Sequence, residues 1–508
     1  MDYTYIPNFT KDTAQMLPYK TLMQIDRSAT LSLHIQVCNT FISLITNGTL
    51  QPRDLLPSSR ILAQMIGINR NTVKLAYEEL ISQGWAESLE RKGVFVLSNL
   101  PVITKNKPND SFPSQNKTEL SHQIEESFIW TNHFKNAIPS KNLQHTKLAI
   151  DDGFPDVRLA PVDQLMREYR SISRKFYGKS FLKYGSSKGS IHLREMICDY
   201  LSKTRGLSVP SSQLLITKGS QMGIYLAAQL LIAPSDYIAL GVSNYGYADE
   251  TFIRSGAKLL RIPIDAAGMD IDYLEQVLKT HQIRALYIIP HHHFPTTVTT
   301  SMERRLKLLK LAKEYRFAII EDDYDFDFHY DNKPYLPLAS IDHHHNVIYI
   351  GSISKTFAPA LRIGFMTGPA AFINAASSLR QLIDKQGDTL LEDAFAMMFE
   401  NGEMERHFRK SLKIYQQRRN LFCEILNTNF KDIIEFNMPE GGLAVWSNFD
   451  PGVDLVKMSA TAAKKELYID NGIFYKNDSF NTNGMRLGFA SLEESETIQA
   501  LEILRSVL

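Results

Sequence analysis

The chain has 508 residues, 44% apolar and 22% charged, with a formal net charge of +1; it is too long for one ordinary core and too neutral to coat a polyelectrolyte by bulk charge. Cys38, Cys198 and Cys423 are odd in number and far apart, which speaks against a disulfide framework or a cysteine zinc site and for a reducing compartment. No eighteen apolar residues run together and the first twenty lack an apolar stretch, so the expectation is a cytoplasmic protein of two or three domains that does not enter a membrane.

From Leu31 to Ile45 apolar residues (Ile35, Cys38, Phe41, Ile42) recur at helical spacing and stop at Asn47-Gly48. After Pro52 and Pro57, Ser58 or Ser59 caps a short helix with Ile61, Leu62, Met65 and Ile66 on one face and Gly67 at its end. Asn69 caps a third helix, which presents Arg70, Asn71, Thr72 and Lys74 in its first turns and buries Val73, Tyr77, Leu80 and Ile81 before Gly84. Residues 85 to 97 alternate as a hairpin with Arg91-Lys92-Gly93 at its tip. Two helices across a tight glycine turn, the second opening on Arg and Asn, can carry base-reading side chains into a major groove. A three-helix domain used only for packing is the alternative. It leaves unexplained why Arg53, Arg60, Arg70 and Lys74 face only Asp54 between residues 51 and 75.

Leu-Pro-Ser-Ser-Arg at 56 to 60, Asn-Arg-Asn-Thr-Val at 69 to 73, Ala-Tyr-Glu-Glu-Leu at 76 to 80 and Gly84 together resemble the GntR family of winged-helix regulators. The resemblance implies a mainly α winged helix-turn-helix domain over residues 20–98 that binds double-stranded DNA. Arg60, Arg70, Asn71 and Thr72 would contact the DNA, and Lys92 and Gly93 would sit where the wing meets the minor groove or backbone. The wing tip departs from the family, with Glu90-Arg91-Lys92 where a more glycine-rich turn is usual. Residues 99–125, rich in Pro, Asn, Ser and Lys, read as a flexible linker.

A second domain is expected over residues 126–508. Apolar strand-like runs at Leu214–Thr217, Tyr237–Val242, Ala285–Pro290, Phe317–Ile320 and Val347–Ile350 alternate with helical stretches, predicting a mainly parallel sheet covered on both faces. Ligands of such sheets lie beyond the carboxyl ends of the strands, where the polar residues here collect. Lys218-Gly219-Ser220-Gln221 follows the first run and opens a helix whose free N–H groups suit a phosphate. Glu321-Asp322-Asp323-Tyr324 follows the fourth, and a buried carboxylate there could keep a pyridinium nitrogen protonated. Lys355 follows the fifth, within Gly351 to Gly364, among Ser352, Ser354 and Arg362. A lysine so placed suits a Schiff base to a phosphorylated aldehyde, although read alone the motif favours an ordinary surface lysine.

In this order, and with Gly153 to Asp156, Tyr184-Gly185, Gly189, Leu193-Arg194, Gly246-Tyr247 and Arg486 to Phe489, the pieces resemble fold type I pyridoxal-phosphate enzymes of the aspartate aminotransferase kind. The resemblance implies pyridoxal 5'-phosphate as cofactor, an α/β fold, Lys355 as the Schiff-base lysine, Asp322 on the ring nitrogen, Tyr324 on the ring hydroxyl and Tyr247 stacked on the ring. Ser220, Gln221, Ser352 and Arg362 would hold the phosphate and Arg486 an effector's carboxylate. Phe294-Pro295-Thr296-Thr297 stands where aminotransferases commonly read Asn-Pro-Thr-Gly, so the asparagine that would contact the ring hydroxyl is absent. His291 to His293 and His343 to His345 lack the spacing of a metal site and read as loop residues, with room for one of His292 or His293 at the pocket wall. Asp249 stands where a regulator subgroup sensing gamma-aminobutyrate has a second carboxylate-binding arginine, and an acid there would repel that ligand.

The whole layout resembles the MocR subfamily of transcription regulators. It implies a homodimer that binds a DNA operator and senses pyridoxal phosphate, an amine or an amino acid. Two alternatives remain at this point: an aminotransferase with an accessory DNA-binding domain, and a DNA-binding protein whose second domain is an empty scaffold.

Overall fold

The computed structural model describes residues 17–99, 147–174, 183–330, 335–342, 345–477 and 479–508, in two compact units. Residues 100–125 of the expected linker, residues 126–146, and His343 and His344 lie outside the described residues.

In the first unit, α1 (Leu33–Thr46), α2 (Ser59–Ile66) and α3 (Arg70–Ser82) precede an antiparallel pair, β1 (Ala86–Leu89) and β2 (Gly93–Val96), with Ala86 opposite Val96. The Ser58 hydroxyl accepts from the Ile61 N–H at the start of α2, and Gly67 closes that helix in the left-handed region, φ 67°. Such a closure satisfies orphan carbonyls without straining a side chain. The Asn69 side chain accepts from the Asn71 N–H at the start of α3. Val37, Phe41, Leu62, Val73, Leu80 and Val96 are wholly buried and form the core. Three expectations are corrected: Leu31 precedes the first helix and is exposed, and Ile61 and Ile81 are also exposed. Val73, Ala76, Tyr77 and Leu80 already fill the inward stripe of α3, and Ile81 falls in its last turn, at the stripe's edge.

The second unit is built on β3 (Leu214–Thr217), β4 (Tyr237–Gly241), β5 (Lys258–Ile262), β6 (Ile283–Ile288), β7 (Ala318–Asp323), β8 (Val347–Ser352) and β9 (Gly364–Thr367), ordered β3-β9-β8-β7-β6-β4-β5 across one sheet. Pairings among β4 to β8 are parallel, while β9 is antiparallel to β8 and β3. β3, β8 and β9 are buried nearly throughout, as strands covered on both faces must be. β5 and β9 were not among the expected runs. β9 follows the loop that carries Lys355, and because it runs opposite to its neighbours, its beginning lies at their carboxyl ends. A smaller antiparallel sheet of β10 (Ile434–Phe436), β11 (Ala444–Phe449) and β12 (Gly484–Gly488) completes the unit, with Arg486 opposite Trp446. No helix among the described residues is long and apolar enough to cross a membrane.

The fourth run was expected to end at Ile320; β7 instead continues through Glu321, Asp322 and Asp323, all 3% exposed or less. Three carboxylates in a buried strand demand partners. Glu321 accepts from the Leu338 and Ala339 N–H groups, and Asp323 accepts from the Tyr349 hydroxyl and lies 3.6 Å from the Arg205 guanidinium. Successive strand residues point to opposite faces, so Asp322, between these two, faces the other way.

Candidate functional site

At the carboxyl edge of the large sheet lies a cavity of about 350 Å³, within the range of small-molecule sites. The Lys355 amine donates to the Gly153 carbonyl at 2.9 Å and lies 4.0 Å from the centre of the Phe154 ring. Burial lowers its affinity for a proton, opposed by the negative charges of Asp152 and Asp151. An amine so desolvated is more often neutral and nucleophilic than one in water. The Asp151 side chain accepts from the N–H groups of Gly153 and Phe154, both 2.8 Å, and so shapes the turn that brings Phe154 and the Gly153 carbonyl to the lysine.

Across the cavity, one Asp322 oxygen accepts from the Tyr287 hydroxyl at 2.7 Å, and the other is buried without a hydrogen-bond partner. Burial, opposed by the Tyr287 bond and reinforced by Asp323 and Asp325, pushes this carboxyl up to about 7. A buried carboxylate oxygen without a donor bears its desolvation cost, which one charged donor would relieve.

The anion end is built from three segments. α4 (Ser220–Leu231) starts at Gly219 with no side chain capping it, so its first N–H groups point outward. Ser352 and Ser354 come from the end of β8 and the loop after it, and Arg362 from the residues that lead into β9. Arg362 donates to the Lys218 carbonyl at 2.9 Å and passes so close to Gly219 that a Cβ there would meet its guanidinium at 2.5 Å. Gly219 also has φ +74°, so only glycine suits this turn. The Gln221 amide donates to the Thr251 hydroxyl at 2.9 Å while its oxygen is buried without a partner.

Arg486 also borders the cavity. It is 2% exposed and donates to the Asp152 and Pro295 carbonyls at 3.0 and 3.3 Å and toward the Tyr324 hydroxyl at 3.4 Å. Its guanidinium lies 4.9 Å from the Phe294 ring centre. Tyr324 in turn donates to the His292 carbonyl at 3.0 Å. Tyr247, at the start of α5 (Gly246–Arg254), lines the rim and is 40% exposed.

All nine expected residues of this unit therefore border one cavity: Ser220, Gln221, Tyr247, Asp322, Tyr324, Ser352, Lys355, Arg362 and Arg486. Asp152, Tyr245, Phe294 and Phe474 border it too and were not singled out as lining residues. Phe474 sits in a short turn far from any of the motifs, and no local signal marks it. Two expectations fail. Neither His292 nor His293 lines the cavity, because His292 turns to Asp325 at 2.9 Å and His293 to Thr296 at 2.8 Å. Both are buried, and burial pushes His293 down to about 3, so it is held neutral. Asp249 is also spent, paired with Arg261 at 2.6 Å and bonded by Asn244 at 2.6 Å, and it does not border the cavity. Its pairing cancels the repulsion expected of it. Among the described residues no group of His, Cys, Asp or Glu is arranged to hold a metal ion.

In the first unit, Arg60, Arg70, Asn71, Lys92 and Gly93 are exposed and Thr72 half-buried. Arg70 reaches the Ser59 hydroxyl at 3.4 Å, and neither Arg60, Arg70 nor Lys92 forms an ion pair among the described residues. Exposed cations held in no ion pair, on the first turns of the two helices of a helix-turn-helix and at a hairpin tip, can meet phosphates and base edges.

Comparison with known proteins finds two family matches: "Aminotransferase class I and II" over residues 156–504 and "Bacterial regulatory proteins, gntR family" over residues 36–96. Among curated proteins the chain is 28% identical over 475 residues to the HTH-type transcriptional regulator YisV of Bacillus subtilis, covering 93% of this chain and 96% of that protein. It is 25% identical over 435 residues to the probable rhizopine catabolism regulatory protein MocR of Rhizobium meliloti, covering 84% of each. Among solved structures, the kynurenine aminotransferase of Pyrococcus horikoshii superposes with a TM-score of 0.66 at 28% identity, over 72% of this chain and 91% of that one.

Proposed function

Because the chain belongs to the class I and II aminotransferase family and joins it to a gntR-type DNA-binding domain, in the MocR arrangement, we propose that it is a pyridoxal-phosphate-dependent transcription regulator that senses the cofactor or an amine or amino acid meeting it. The observation that carries this reading is the conjunction, around one cavity, of the Lys355 amine, the unpartnered Asp322 oxygen and the Gly219–Ser220 helix start beside Arg362. These residues fit the group. Asp322 would hold the ring nitrogen, the α4 N–H groups with Ser220, Ser352, Ser354 and Arg362 the phosphate, and Tyr247 the ring face. When bound, the cofactor supplies an aldehyde for the lysine and a protonated ring that withdraws electrons.

The chain's own residues do the rest. Burial lowers the proton affinity of Lys355, which would make its amine the better nucleophile toward the cofactor's aldehyde. Asp322 would keep the ring nitrogen protonated, and Arg486 would offer a two-pronged clamp to one carboxylate. Arg60, Arg70, Asn71 and Thr72 read the operator, and Lys92 and Gly93 meet its minor groove or backbone at the wing. A homodimer would present two such heads to two half-sites. The effector acts only so far as it binds one arrangement of the pair better than the other.

The test reduces the cofactor-saturated protein with borohydride and maps the modified peptide. Modification at Lys355, with the visible band lost in Lys355→Ala and operator binding no longer responsive to amino acids, supports the reading. An unmodified lysine, or a Lys355→Ala protein that keeps both band and response, sinks it. The intact Lys355, Asp322 and Arg486 also favour a second reading, an aminotransferase with an accessory DNA-binding head. Robust multiple turnover with 2-oxoglutarate as amino acceptor would establish that instead.

A further inference from the structure

The aromatic wall beside Arg486 bears on what the cavity accepts. Phe294 lies over the guanidinium at 4.9 Å, meets the Tyr245 ring edge-on at 5.6 Å between centres, and lies 6.4 Å from Phe474. Phe474 is 6.0 Å from Tyr247, which closes the ring of aromatics at the rim. All four line the cavity. Of the three cations among the lining residues, Lys355 and Arg362 serve the cofactor in the reading above, leaving Arg486 alone for a ligand's carboxylate. Of the lining acids, Asp322 serves the ring nitrogen in the same reading, and Asp152 would oppose a second negative charge. Asp249 pairs with Arg261 away from this space and supplies neither attraction nor repulsion.

Resting on the cofactor reading, we propose that this site selects an amino acid with a single carboxylate and an uncharged aromatic or large apolar side chain, and discriminates against dicarboxylates and small amines. The carboxylate meets Arg486, the amine faces Lys355, and the side chain packs among Phe294, Phe474 and Tyr247. Covering a large apolar side chain there removes its surface from water, whereas a second carboxylate would lose its hydration without gaining a cation.

The experiment titrates the cofactor-saturated full-length protein with L-phenylalanine, L-methionine, L-glutamate and gamma-aminobutyrate, reading the visible absorption band and the thermal midpoint. Methionine and glutamate are similar in length, so their contrast isolates charge. Phenylalanine and methionine should half-saturate at concentrations at least about tenfold below glutamate and gamma-aminobutyrate. Phe474→Ala should erase most of that preference, Phe474→Leu should keep the methionine preference, and Phe474→Arg should shift it toward glutamate. Glutamate or gamma-aminobutyrate binding as readily as phenylalanine, or a band that no amino acid moves, overturns the proposal while leaving the cofactor reading intact. A colourless protein with no reducible group on Lys355 refutes the cofactor reading itself, and this proposal with it.

Discussion

Asp322 is one of three consecutive acids, and its chemistry depends on its being the one that keeps an unpartnered oxygen toward the cavity. Replacing it with Asn keeps the shape and removes the charge. A hydrogen bond to a charged group contributes about 1.5–3 kcal/mol, so Asp322→Asn should weaken cofactor retention by about 10- to 100-fold, as measured by equilibrium dialysis. Retention unchanged within error would show that the ring nitrogen is held elsewhere. On the other unit, Arg70 is exposed at the first turn of α3 with only the Ser59 hydroxyl at 3.4 Å. If it reads a base, Arg70→Ala should cost about 1–3 kcal/mol and relax preference at one operator position. A loss uniform across sequences, with the salt dependence shallower by about one unit, would make it a phosphate contact instead.

At the scale of elements, the turn from β3 into α4 and the strand β7 each carry a constraint that one residue exposes. Gly219 has a positive φ and Arg362 packed against its Cα. Gly219→Ala should displace Arg362 and lower cofactor affinity more than it lowers the melting temperature of the cofactor-free protein, since the strain falls on the phosphate cradle. Equal affinity would mean that the cradle yields without consequence. In β7, burial above all pushes Glu321, Asp322 and Asp323 up to about 8, 7 and 6; the charge of Asp323 adds to the rise at Glu321, while the Tyr287 hydroxyl restrains it at Asp322 and the Arg205 guanidinium at Asp323. Each carboxyl binds its proton more tightly folded than unfolded. Their contribution is therefore present below about pH 4, the unfolded value, and is lost as pH rises through 6 to 8. Thermal melts of the cofactor-free protein should fall across that window, and Asp322→Asn should flatten the fall without abolishing it, because Glu321 remains. A slope identical in the variant would remove Asp322 from the account.

For the whole molecule, the two units have separate cores, and only the second holds the cavity. Cofactor at a hundred times its dissociation constant should stabilise that unit by about 2.7 kcal/mol and leave the winged-helix transition where it is, giving two calorimetric transitions of which one moves. A joint shift of both would mean that they unfold as one. Much of this organisation was legible in the chain. Helix caps at Ser58 and Asn69, the strand runs followed by Ser220, Asp322 and Lys355, and the two families they resemble all rest on local periodicity and short fixed spacings. Such features are written within a turn or a strand of themselves. What the chain could not disclose was which buried groups would find partners: that His292 turns to Asp325, that Asp249 is neutralised by Arg261, that β9 runs backward to deliver Arg362, and that Phe474 joins Phe294 beside Arg486. Those facts concern residues from a dozen to more than a hundred positions apart, whose meeting depends on how helices and strands pack in three dimensions, and no local pattern encodes it.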